Sequence, residues 1–129
     1  MSKNLARRSA PRKDIRPLTV SSMSSLDSLT KICRGGYVVE ASTSGILVLV
    51  KREELVPTAL RKNLNIDVLV GDKVLIHLPD LNLEISGRVA RTRFIGAAGF
   101  EIGIDYTDDA PEYWRECLVE LLPAPGEFE

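Results

Sequence analysis

The chain has 129 residues, 44% of them hydrophobic and 27% charged, the size and balance of one soluble globular domain. That composition excludes a disordered or collagen-like chain, and no apolar run approaches the roughly twenty residues that span a bilayer. The net charge of −1 conceals an asymmetry: residues 1–16 carry Lys3, Arg7, Arg8, Arg12, Lys13 and Arg16 against Asp14 alone, a net of +5, while the remainder carries 11 basic and 17 acidic residues, a net of −6.

Residues 1–16 show neither helical nor strand periodicity, and Pro11 and Pro17 discourage regular structure. They read as a flexible basic arm, with residues 1–17 set apart from the folded body. Such an arm meets an anion that the acidic body alone repels, clasps its own domain, or is simply solvated. Leu18 to Val20 reads as a short strand and SSMSSLDS, Ser21 to Ser28, as a polar loop. Ile32 to Ala41 and Ile46 to Val50 flank the turn STSG as a hairpin. Arg52 to Asn65 is less regular; its LVPTAL, Leu55 to Leu60, either caps the body or pairs two copies. Val74, Ile76 and Leu78 then alternate with polar neighbours, Leu83, Ile85, Gly87 and Val89 share one face, and Phe100, Ile102 and Ile104 alternate after GAAG.

About six short strands with one apolar face each bury that face best in an antiparallel barrel, so the expected class is all-β. The end of the chain differs. Asp108 and Asp109 suit an N-terminal cap, Pro111 a first turn, and Trp114, Cys117, Leu118 and Leu121 recur at helical spacing before Pro123. An amphipathic C-terminal helix is expected there, against the barrel, followed by a tail over residues 123–129.

The inventory argues against an enzyme. His77 is the only histidine and sits in a strand without an evident partner, so a structural role is expected. No phosphate-binding glycine loop and no metal-ligand spacing occur. Cys33 and Cys117 are too few for a disulfide framework and read as buried thiols in a reducing compartment, and the first thirty residues lack the apolar segment of a signal peptide, which together predict a cytoplasmic protein. A nucleic-acid polymer is disfavoured by the acidic body and by aromatics that fall mostly at inward or helix-core positions.

Two short motifs carry chemistry. In RRSAPR, Arg7 to Arg12, two guanidinium groups stand four apart; guanidinium forks bind phosphate and match the O6 and N7 edge of guanine. In EASTSG, Glu40 to Gly45, Glu40 and Ser42 share one side if the strand continues, and Gly45 permits either a positive φ or a close approach to bare backbone. A polar hairpin corner is the plain reading. Alternatively, Glu40 accepts from the ring N–H and amino group of guanine and Ser42 adds a hydroxyl, so that arm donors and strand-end acceptors together suit a guanine nucleotide.

The pair resembles the motifs of the PilZ domain: RRSAPR is an instance of RxxxR, and EASTSG is close to [D/N]xSxxG. GDKVLIHL, ISGRVARTR and GFEIGIDY are similar to later strands of the family, and the resemblance spans roughly residues 7 to 122. It implies a six-stranded antiparallel PilZ-like β-barrel with a C-terminal α-helix, over residues 18–122, and a receptor for bacterial cyclic di-GMP. The implied ligand residues are Arg8 and Arg12 on phosphates and guanine edges, Arg7 as an extra contact, and Glu40, Ser42 and Gly45 as the opposing surface. The chain departs from the family at Glu40, one methylene longer than the usual Asp or Asn. Arg12 and Arg16 also satisfy RxxxR; the first register is preferred for its double arginine. The implied output is a relay to a protein partner in motility, secretion or polysaccharide machinery, with no membrane insertion and no cofactor; the rival is a PilZ-like adaptor that does not bind the nucleotide.

Overall fold

A computed structural model describes residues 13–42, 44–57, 60 and 66–106. Eight strands form one antiparallel sheet: β1 Lys13–Val20, β2 Ser22–Ser25, β3 Thr30–Cys33, β4 Gly36–Ala41, β5 Gly45–Val50, β6 Lys73–Leu78, β7 Leu83–Phe94 and β8 Phe100–Tyr106. Their order across the sheet is β1-β4-β5-β8-β7-β6-β2-β3. β1 and β2 are separated only by Ser21, yet β1 pairs with β4 at one end of the sheet and β2 with β6 near the other. One continuous stretch of chain cannot serve both ends of a flat sheet, so the sheet curls back on itself. The Ser21 amide donates to the His77 carbonyl at 3.0 Å and continues the ladder through the junction.

The concave side of this curl is the core. Alternation places Val74, Ile76 and Leu78 of β6, Ile85 and Val89 of β7, and Phe100, Ile102 and Ile104 of β8 inside, as expected from their period of two. Leu55 and Leu60 of LVPTAL are buried in the same cluster, with Ile66 and Leu69. That segment therefore caps the core. Between strands the chain tightens into 3-10 turns at Arg52–Glu54, Ile66–Leu69, Pro79–Leu81 and Gly96–Ala98.

Three expectations need correction. Among the described residues there are eight strands rather than six, because SSMSSLDS contributes β2 and the stretch read as one strand, Ile32 to Ala41, is broken after Cys33 into β3 and β4; part of the arm is paired as well, lengthening β1. β1 begins at Lys13, inside residues 1–17; its pairing with β4 is irregular between Asp14 and Leu18, where Pro17 lacks an N–H to donate. SSMSSLDS is not a loop at its start: Ser22–Ser25 is a strand with Met23 and Ser25 buried. The buried hydroxyl of Ser25 is satisfied by the Ser28 amide at 3.1 Å and by Asp72, so serine-rich composition hides a core position. The aromatics are the third. Phe100 and Tyr106 are buried, but Tyr37 and Phe94 are 42% and 54% exposed. The expected helix over 108–122, with Trp114 and Cys117, lies outside the described residues, as does the 123–129 tail.

Candidate functional site

The corner between β4 and β5 is built by one serine. The Ser42 amide donates to the Gly45 carbonyl at 2.9 Å, and the Ser42 hydroxyl oxygen accepts from the amides of Ser44 at 3.1 Å and Gly45 at 3.3 Å. Ser42 is only 5% exposed. Its hydroxyl thus performs the backbone-bonding role for which serine favours turns. Of the two reasons for glycine at position 45, the structure selects close approach. A Cβ there would lie 2.1 Å from the Ile104 carbonyl oxygen on β8, and the φ of Gly45 is not positive.

Glu40 stands on the outer face, and a bulge puts it there. β4 and β5 pair Val38 with Val48, then Glu40 with Leu47, with a register shift between. Val38 is fully buried, so strict alternation would turn Glu40 inward too. The extra residue, Val39, reverses the side. The same device occurs on β7, where Val89 pairs with Ile104 but Arg91 pairs with Gly103 after a second shift. Here too the bulge converts an expected inward position into an outward one.

Register now carries one row across four strands: Glu40 opposite Leu47, Leu47 opposite Gly103, Gly103 opposite Arg91. Three strand spacings separate its ends, about 14 Å between backbones. The floor is nearly flat, formed by Leu47 and by Gly103. The Arg91 side chain lies along Gly103, since a Cβ at that glycine would come within 3.0–3.3 Å of its Cγ, Cζ and Nε. Glu40, Ser42, Ser44, Gly45, Arg91 and Asp105 line an open depression at this corner, and it continues past Arg91 toward Arg93 and Glu101. Those last two are paired at 2.9 Å. The arrangement offers the Glu40 carboxylate at one wall, a guanidinium at the other and a thin apolar strip between, with Asp105 on the same strand as Gly103 at the corner end, which suits a flat, polar-edged group.

Of the expected residues, Glu40, Ser42 and Gly45 are brought together. Arg7, Arg8 and Arg12 lie outside the described residues. What the structure does fix is where their segment enters: Lys13 is opposite Ala41 and Asp14 opposite Glu40 on β1 and β4. Arg91, Asp105 and Ser44 were not anticipated. Ser44 lies within EASTSG and Asp105 within GFEIGIDY, but at positions to which those motifs assign no role, and Arg91 was hidden by the bulge.

Elsewhere, His77 does have a partner, Glu84, which cross-strand pairing brings to 3.5 Å, and both side chains are well exposed. Among the described residues no group of His, Cys, Asp and Glu is placed to hold a metal ion. None of their helices is long and apolar enough to cross a membrane.

No family sequence model and no curated protein matches the chain. Solved structures do. It is similar to the PilZ domain of CeSA from a cellulose-synthesizing bacterium, with 18% identity, 86% of this chain and 96% of that chain covered, and a TM-score of 0.53. The PilZ domain of YcgR from Escherichia coli, solved with cyclic di-GMP (c-di-GMP), aligns at 12% identity over 90% of this chain and 91% of that one, with a TM-score of 0.52. The K. pneumonia MrkH–c-di-GMP complex aligns at 15% identity over 89% of this chain, with a TM-score of 0.58, and the chain spans about half of MrkH's length, 52%. At these identities the likeness is one of architecture, and the architecture is specific: the fold of this chain is that of a PilZ domain.

Proposed function

We propose that the chain is a c-di-GMP receptor of the PilZ type, with the β4–β5 corner as one half of the binding surface and Arg7, Arg8 and Arg12 as the other. The observation that carries this reading is the entry point of the N-terminal segment. Lys13 pairs beside the corner that holds Glu40, Ser42 and Gly45. Arg12 is one residue away from Lys13, and Arg8, five residues away, is tethered within about 18 Å at full extension. The ligands named for YcgR and MrkH support the same nucleotide.

In this reading Glu40 accepts from the ring N–H and amino group of a guanine, the strip of Leu47 and Gly103 underlies the base, and Arg91 stands at its far side. Arg8 and Arg12 clasp phosphates and the O6/N7 edge, and Arg7 adds a contact. The two guanidinium groups also invert the local charge. Ordering five residues of backbone costs on the order of 5–10 kcal/mol, whereas each charge-assisted hydrogen bond returns roughly 1.5–3 kcal/mol. Both arginines are therefore required. The protein is a receptor rather than an enzyme, and it relays occupancy of the site to a protein partner.

Calorimetric titration of c-di-GMP into the purified protein tests the reading. Saturable binding is expected for the wild type. Arg8→Ala and Arg12→Ala each remove most of it without moving the melting temperature of the free protein. Absence of wild-type binding would instead leave a PilZ-like adaptor, and undiminished affinity in either variant would discard the clasp.

A further inference from the structure

We infer that the ligand-facing hydroxyl of the corner is that of Ser44, with Ser42 as the positioning residue that aims it; this rests on the nucleotide-binding reading above. A serine hydroxyl has one proton to donate and two lone pairs to accept with. Both lone pairs of Ser42 are taken, by the amides of Ser44 and Gly45 at 3.1 and 3.3 Å. The Ser42 and Ser44 oxygens lie 2.9 Å apart. Ser42 has no remaining acceptor capacity, so it is the donor in that contact and Ser44 the acceptor. The Gly45 carbonyl, at 3.5 Å, is the poorer target for the same proton.

The direction of this chain has a chemical result. Ser42 is 5% exposed and has no capacity left for a ligand. Ser44 is exposed, lines the depression, and retains its own proton. Accepting from Ser42 polarises the Ser44 O–H and strengthens it as a donor. The corner therefore presents a donor beside the carboxylate of Glu40, and it is matched to an acceptor oxygen of the bound nucleotide. The serine of the motif shapes the turn, and the exposed residue two positions later makes the contact.

Three variants of the full chain, each melted without ligand and titrated with c-di-GMP, test the assignment. Ser44→Ala is expected to weaken binding about ten-fold, the scale of one hydrogen bond to an acceptor oxygen, with the melting temperature held within a degree or two. Ser44→Thr, which keeps the hydroxyl, retains most of the affinity. Ser42→Ala removes the side-chain acceptor of the Ser44 and Gly45 amides and lowers the melting temperature of the free protein by about 3–10 °C, with affinity reduced alongside. Wild-type affinity in Ser44→Ala, or weakened binding in Ser42→Ala at an unchanged melting temperature, would overturn the assignment. A wild type that takes up no nucleotide would defeat the receptor reading and the ligand contact together. The melting arm would still decide whether Ser42 builds the turn.

Discussion

Cys33 ends β3 with its thiol fully buried, and burial pushes its pKa up from 9.0 to about 11, partly opposed by hydrogen bonds to the backbone of Gly35 and Met23. The folded protein therefore holds this proton more tightly than the unfolded chain does. Stability from that difference is complete below about pH 9 and drains away as the pH climbs toward 11, because only the unfolded state gains by ionising. The shift corresponds to a loss on the order of 2 kcal/mol. Urea denaturation at pH 8.5 and 10.5 measures it, with Cys33→Val as a reference of similar volume. The wild type should lose more stability than the variant over this interval, and equal losses would remove Cys33 as the cause. The same burial predicts slow modification by thiol reagents until the protein unfolds.

At the scale of elements, two bulges decide what the outer face displays. Without the extra residues Val39 and Ala90, Glu40 and Arg91 would both turn toward the core, where neither charge has a counterpart. With them, the two charges bracket Leu47 and Gly103. Arg91→Ala should weaken c-di-GMP binding by roughly ten-fold and leave stability nearly unchanged, since the side chain is exposed. Calorimetry and a melt suffice, and unaltered affinity would confine the site to the β4–β5 corner. These bulges also explain what could be read beforehand. The buried alternation of β6 and β8 was legible because it is unbroken and apolar. Glu40, Ser42 and Gly45 were legible because a short motif marks them. Arg91 was not, because counting by twos from Val89 places it inside. β2 was missed because Ser25 occupies a core position as a small hydroxyl with partners 3 and 47 residues away in sequence, which no local pattern reveals.

For the whole molecule, the junction at Ser21 has a mechanical consequence. β1 begins beside the β4–β5 corner, crosses Ser21 and becomes β2, which pairs with β6 and β3 on the far side of the curl. Any tension in β1 is therefore delivered along one covalent strand to the seam at Ser21 that joins the two sides of the curl. Adding c-di-GMP should slow hydrogen–deuterium exchange at amides of Leu18–Ser25 as well as at the corner, although the second half of that stretch pairs on the far side of the curl. Protection confined to the corner would mean that the seam is deaf to the site. If protection spreads, the molecule carries its message along its own first two strands, and a partner has only to feel how firmly the curl is held.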